Sequence, residues 1–236
     1  SAGRVDSFEL SPDSARVVFL GSANQGLAEL HVVPTDGDTA PLALNPPLVA
    51  GGAVTAFALS PDGQCVVYLA DQESDDVVEL YSVPIDGGAA IRLNAPLVAG
   101  GDVTEFRISP DSAWVVFVAD MDTDEAFELY SAPIDGRERR GHAARARYAP
   151  TRLVPVPVGR QVLDFGFSPD STRVVLHADL GTAGVNELYS VSLMAPASLI
   201  CLNASPVAGG DVDSFQIAAD GARVVYVADQ DTDDTH

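Results

Sequence analysis

The chain contains no lysine. All thirteen of its basic residues are arginine, set against 34 aspartates and glutamates, and the formal net charge is −21. A surface this acidic repels nucleic-acid phosphates and anionic headgroups, which argues against both as partners and favours cations or basic proteins. Cysteine is nearly absent. Cys65 and Cys201 stand in no CxxC pair, and Cys65 lies in the apolar run QCVVYLA, so both read as small core residues, with a disulfide or a reactive thiol as the alternatives. No apolar run approaches the ~18 residues that cross a bilayer, so the sequence predicts no membrane insertion.

Other absences bear on catalysis. No GxSxG pentapeptide is present to form a nucleophile elbow. The four histidines, His31, His142, His177 and His236, are scattered where a zinc site needs them clustered. The glycines of VAGGDV are followed by neither a lysine nor a helix, unlike those of a phosphate-binding loop. Paired carboxylates of the glycosidase kind are not singled out by any spacing. The sequence therefore predicts no enzyme and no catalytic residue.

What is present is a repeat. VDSFELSPDS, VTAFALSPDG, VTEFRISPDS, VLDFGFSPDS and VDSFQIAADG align on Phe8, Phe57, Phe106, Phe165 and Phe215, at spacings of 49, 49, 59 and 50 residues. Glu29, Glu79, Glu128 and Glu187, which open ELH or ELY, keep the same period, as do Leu44, Leu93, Leu153 and Leu202. Within one unit TAFALS and ELYSVPI alternate, CVVYLA and WVVFVA are β-branched and aromatic, and IRLN supplies a shorter fourth run. Ser-Pro-Asp-Gly or Ser-Pro-Asp-Ser joins the first two runs, and PIDGG joins the third to the fourth; both carry turn chemistry. No helical period of 10–12 residues interrupts the pattern. Each unit thus predicts four short antiparallel strands, A to D, the size and plan of a propeller blade.

FALSPDGQCVVYLADQ, ELYSVPIDGG and RLN, within residues 57–94, resemble the TolB-like β-propeller repeat, a WD-type blade. The last copy departs from the pattern with AADG at 218–221. The resemblance implies an all-β propeller of four full blades and an A–B half blade, with blades over about 5–49, 54–98, 103–158 and 162–207 and the half blade over 212–236. It also implies a periplasmic or extracellular setting. Proteins with this repeat include interaction proteins, peptidase-associated propellers and sugar lyases, so function is expected from a site and not from the fold.

The same resemblance places the B–C and D–A loops on one face. Fourteen of the acidic residues fall there, among them Asp71, Glu73, Asp75 and Asp76, then Asp120, Asp122, Asp124 and Glu125, then Asp229, Asp231, Asp233 and Asp234, with Asp102 and Asp211. Alternating carboxylates make Asp120, Asp122 and Asp124 the candidate calcium ligands, although the loop lacks the glycine and the terminal glutamate of an EF-hand. The competing expectation is that they end strands and keep the loops wet. On the other face, an insertion over 137–152, RERRGHAARARYAPTR, carries Arg137, Arg139, Arg140, Arg145, Arg147 and Arg152. It reads as a solvated basic loop, or as an arm that docks on an acidic surface such as another copy.

Five A–B pairs face only four C–D pairs. An open B strand such as RVVYVAD is a template for pairing, and the count fits a fragment of a longer propeller, a small closed ring, or several copies joined at open blade edges. The functional expectation is a non-enzymatic binding or scaffold module that meets a protein partner or associates with itself. The alternative is the propeller part of a carbohydrate-active or peptidase-associated enzyme.

Overall fold

A computed structural model describes residues 3–22, 26–137, 149–196, 198–204, 207 and 210–229. Every regular element among them is a strand, and the strands form five antiparallel sheets. The first blade holds β1 (Arg4–Leu10), β2 (Arg16–Ser22), β3 (Glu29–Pro34) and β4 (Leu42–Ala43). The second holds β5 (Val54–Leu59), β6 (Cys65–Ala70), β7 (Glu79–Pro84) and β8 (Ile91–Arg92). The third is β9 (Val103–Ile108), β10 (Trp114–Ala119), β11 (Glu128–Pro133) and β12 (Thr151–Val154). The fourth is β13 (Val162–Phe167), β14 (Arg173–Ala178), β15 (Glu187–Ser192) and β16 (Ile200–Cys201). A two-stranded sheet, β17 (Val212–Ile217) and β18 (Val224–Ala228), completes the described fold. The protein is an all-β propeller structure of four full blades and a half blade.

The first turn of each blade shows why Ser-Pro-Asp recurs. Ser60 Oγ donates to Asp62 Oδ1 at 2.6 Å, the amide of Gln64 donates to the same oxygen at 3.0 Å, and the amide of Cys65 donates to Ser60 Oγ at 3.0 Å. The fourth turn residue is left-handed in every copy: φ is 58° at Ser14, 69° at Gly63, 59° at Ser112, 57° at Ser171 and 68° at Gly221. Serine is an unusual choice for that region. At two positions its hydroxyl repays the strain by tying blades together. Ser112 Oγ accepts from the Asp62 amide of the preceding blade at 2.9 Å, and Ser171 Oγ accepts from the Asp111 amide at 3.1 Å. Each A–B pair also carries a register shift near the start of the A strand, which bends that strand at the same point in every blade.

Strand alternation gives every blade two apolar faces, and the core lies between blades. Val18, Leu20, Leu30 and Val32 of the first blade pack on Val66, Tyr68, Tyr81 and Val83 of the second. Val67, Leu69 and Leu80 on its other face pack on Val115, Phe117, Tyr130 and Ala132. Val116, Val118 and Leu129 then meet Val174, Leu176, Tyr189 and Val191, and Val175 and Leu188 meet Phe215, Val224 and Tyr226. Complete burial of one such side chain is worth about 1.5–3 kcal/mol, so the stacking of blades supplies most of the stabilising area.

Candidate functional site

The loops between the second and third strands meet the loops that enter each blade, and buried aspartates join them. Asp120, 1% exposed, accepts from the Asp102 amide through Oδ1 at 2.6 Å and from the Glu125 amide through Oδ2 at 2.9 Å. Asp71 holds the amides of Ala53 and Asp76 in the same way, at 2.5 and 3.3 Å. Asp179 holds the Gly184 amide at 2.8 Å and pairs with Arg160, and Asp229 accepts from the Asp211 amide. The residues that close these small loops are left-handed, with φ near 60° at Asp76 and Glu125 and 74° at Gly184. Asp102 and Asp211 extend the tie across blades: Asp102 Oδ1 accepts from the Val78 amide at 2.7 Å, and Asp211 Oδ1 accepts from the Asn186 amide at 2.5 Å.

The three candidate calcium ligands have separate surroundings. Asp120 is committed to backbone amides. Asp122 is exposed, 3.6 Å from Arg152, and accepts from the Tyr130 hydroxyl at 3.4 Å. The Asp124 carboxylate stands over Gly100, whose φ is +86°; a Cβ there would lie 3.0 Å from Oδ1. Among the described residues no three carboxylate, imidazole or thiol side chains are grouped to hold a metal ion. Of the basic arm, Arg137 is exposed after β11, while Arg139, Arg140, Arg145 and Arg147 lie outside the described residues, as do Asp231, Asp233 and Asp234.

The glutamate of each ELY is a hub, buried at Glu79 and Glu128 and half-buried at Glu187. Glu79 Oε2 accepts from the Tyr81 hydroxyl at 2.5 Å while Arg92 of the fourth strand donates to Oε1 at 2.6 Å. Glu128 repeats this with Tyr130 at 2.7 Å and Arg152 at 3.2 Å. Glu187 keeps Tyr189 at 2.6 Å, but Cys201, which is exposed on β16 and not in the core as its sequence suggested, replaces the arginine; partial burial of its sulfur followed by the nearby carboxylate pushes the thiol's pKa up. The tyrosines pay most: burial first, then the bond to glutamate, raises the hydroxyl pKa of Tyr81, Tyr130 and Tyr189 well above the ordinary 10.0. Burial does the same to Tyr68.

A folded-state pKa above the unfolded one means stability that is full below the unfolded value and lost as pH rises beyond it. In an alkaline titration, tyrosinate absorbance from these four residues should therefore appear together with loss of the sheet circular dichroism signal, above pH 10. A smooth titration near pH 10 with the sheet signal intact would contradict their burial.

One polar group belongs to a single blade. Arg107, on β9, bonds Asp164 at 2.6 Å and Glu105 at 3.1 Å, donates to the Phe165 carbonyl, and lies 4.8 Å above the Phe165 ring. At the same phase stand Glu9, Ala58, Gly166 and Gln216. Its partners are 45% exposed carboxylates in an ion-pair network, which fastens the third blade to the fourth. Two recurring backbone anchors were not recognised as anchors in the sequence. The asparagines Asn45, Asn94 and Asn203 each accept the opening amide of a third strand, from Leu30, Leu80 and Leu188 at 2.7, 2.9 and 2.8 Å. The aspartates that follow Ala70, Ala119, Ala178 and Ala228 are the other; their constant phase was the available clue.

Blades stacked in this way, four of them opened by a Ser-Pro-Asp turn and three held by a Glu-Tyr pair, define a TolB-like β-propeller module. Residues 1–134 match the lipoprotein LpqB β-propeller domain, and the chain belongs to that family. Among solved structures it is similar to a TolB from Agrobacterium tumefaciens, with 18% identity and a TM-score of 0.52 over 84% of this chain and 64% of that one. It is also similar to a puromycin-hydrolyzing peptidase of Mycobacterium tuberculosis, with 18% identity and a TM-score of 0.58 over 97% of this chain and 35% of that one. A dipeptidyl aminopeptidase IV from Bacteroides ovatus shows 12% identity and a TM-score of 0.66 over 95% and 37%. The chain spans less than two thirds of each of these proteins, and at such identities the likeness shows the fold. No curated protein matches the sequence.

Proposed function

We propose that the chain is a non-enzymatic binding and scaffold module that engages protein, including further copies of itself, through open blade faces. The observation that carries this reading is apolar surface at both ends of the blade row, at positions buried in between. Phe8 is 68% exposed, whereas at the same phase Phe57 and Phe106 are half-buried and Phe165 is 0% exposed. Val225 and Val227 are 66% and 46% exposed, whereas Val67 and Val116, in phase with Val225, are both 0% exposed. All seven residues of β1 are exposed. Contiguous apolar surface of this kind marks interaction sites. The face that carries Val225 and Val227 is the counterpart of the faces that cover Tyr68 and Phe117. It therefore suits the Phe8 and Phe19 face of a second copy, in a heterologous contact.

Membership of a lipoprotein domain family supports a place in the periplasm or outside the cell. The acidic loop face is where a calcium ion would act if one took part in assembly, with Asp122 and Asp124 the side chains free of backbone duty.

Light scattering on a sizing column, in calcium and in chelator, tests the reading. A discrete oligomer that dissociates on dilution is the expected result. A single species of about 24.6 kDa at all concentrations removes self-association. An oligomer seen in calcium alone assigns the loops to it.

A further inference from the structure

The geometry points to the fourth-blade hub, Glu187 with Tyr189, as a receptor for the guanidinium of an arginine carried by a partner polypeptide. The inference rests on the binding reading and deepens it by naming what one partner must present. The hub lies at the seam between the third and fourth blades, where Tyr189 packs with Val116, Val118 and Leu129. Both of these blades have all four strands.

Three hubs share one register but not one composition. The tyrosine of ELY pairs across the sheet with Arg92 in the second blade, Arg152 in the third and Cys201 in the fourth. A second acid accompanies each arginine, two residues beyond the buried loop aspartate. Glu73 lies 3.5 Å from Arg92, and Asp122 lies 3.6 Å from Arg152. At that loop position the fourth blade has Gly181. The fourth blade thus lacks both the arginine and its outer acid, and keeps the inner acid and the tyrosine.

What it keeps is half of a binding site. Glu187 Oε2 accepts from the Tyr189 hydroxyl at 2.6 Å, and a Cβ on Gly181 would lie 2.6 Å from the same oxygen, so the carboxylate leans on bare backbone. Oε1 is the oxygen that takes the guanidinium in Glu79. In Glu187 it has the Cys201 thiol at 3.9 Å, a long contact from a weak donor. The smaller residues at 181 and 201 also open the hub: Glu79 and Glu128 are buried, whereas Glu187 is half-buried beside an exposed Cys201. Arg160, which reaches this loop, is committed to Asp179 at 3.1 Å and to the Gly181 carbonyl at 2.6 Å.

In both sister blades the same glutamate and tyrosine hold one cation, and it is arginine each time. A guanidinium offers the carboxylate a planar fork of donors and lysine a point charge, so the site should tell the two apart. The net charge of −21 draws basic segments in without selecting among them.

The test titrates the whole chain into a fluorescein-labelled peptide, GSRSG, and reads anisotropy. Two further peptides carry lysine or citrulline (the neutral isostere) in place of the arginine. The arginine peptide should bind saturably, the citrulline peptide at least tenfold more weakly and the lysine peptide severalfold more weakly, all to an unaltered protein. Glu187→Gln, which still accepts from Tyr189, should weaken binding about tenfold. Cys201→Arg, which restores the arrangement of the sister blades, should abolish it. Arg92→Ala joined with Glu73→Gly gives the second blade the composition of the fourth and should add a second site. No saturable binding, equal affinity for the lysine or citrulline peptide, or binding that survives Cys201→Arg overturns the inference. A failed peptide beside a discrete oligomer removes this inference alone; a bound peptide beside a monomer removes self-association alone.

Discussion

Replacing Phe165 with alanine should cost about 3–5 kcal/mol of stability, and the same change at Phe8 close to nothing. The two residues hold one phase of one repeat, in VLDFGFSPDS and VDSFELSPDS, so propensity and turn chemistry are nearly matched. Their surroundings are not. Phe165 is sealed between the third and fourth blades, among Val116, Leu129 and Leu176, with Arg107 above its ring. Truncation there removes a full aromatic transfer term, leaves a cavity and strips the guanidinium of its π face. Phe8 lies on the first blade's outer face, where no blade covers it in the described structure. At about 2–4 °C per kcal/mol for a chain of this size, F165A should lower Tm by roughly 6–20 °C. F8A should leave Tm in place at low protein concentration and shift the oligomer towards monomer. Equal losses at both positions would mean that the first blade is covered, and the open-face reading would fall.

Much of the architecture was legible because the repeat supplied its own alignment. Five phenylalanines at nearly constant spacing set the unit, alternation set the strands, and Ser-Pro-Asp set the turns. The site was less legible, because side-chain roles depend on which blade lies alongside. Asp120, Asp122 and Asp124 look alike in DMDTD, yet one is buried on two amides, one meets an arginine and a tyrosine, and one stands over a glycine. Arg107 and Arg173 are the single arginines of their strands. Their partners, Asp164 and the Ser190 hydroxyl, are 57 and 17 residues away, beyond any local pattern. The serine at a left-handed turn position was visible, but its bond to the preceding blade, 50 residues off at Ser112, was not. Serine stands at that position in three blades and glycine in the others, and at two of the serines a neighbouring blade's amide uses the hydroxyl.

Asp120→Ala should cost about 3 kcal/mol or more, roughly 6–12 °C in Tm, while Asp122→Asn and Asp124→Asn should stay within about 0.5 kcal/mol. The carboxylate of Asp120 accepts two backbone amides in a site sealed from water, and alanine would leave both without a partner. The loss would spread beyond one loop. The Asp102 amide held by Asp120 belongs to the residue whose own carboxylate holds Val78, so releasing one bond loosens the seam between the second and third blades. Asp120→Asn separates charge from shape: the amide oxygen can replace one acceptor, while its nitrogen faces a second donor, so an intermediate loss of about 2 kcal/mol is expected. Thermal melts of the three variants, each in calcium and in chelator, decide between a backbone anchor and an ion ligand. An anchor gives the same Asp120 penalty in both buffers. A penalty confined to calcium would hand the residue to the metal, and with it Asp122 and Asp124, whose neutralisation would then have to lower the calcium-dependent part of Tm as well.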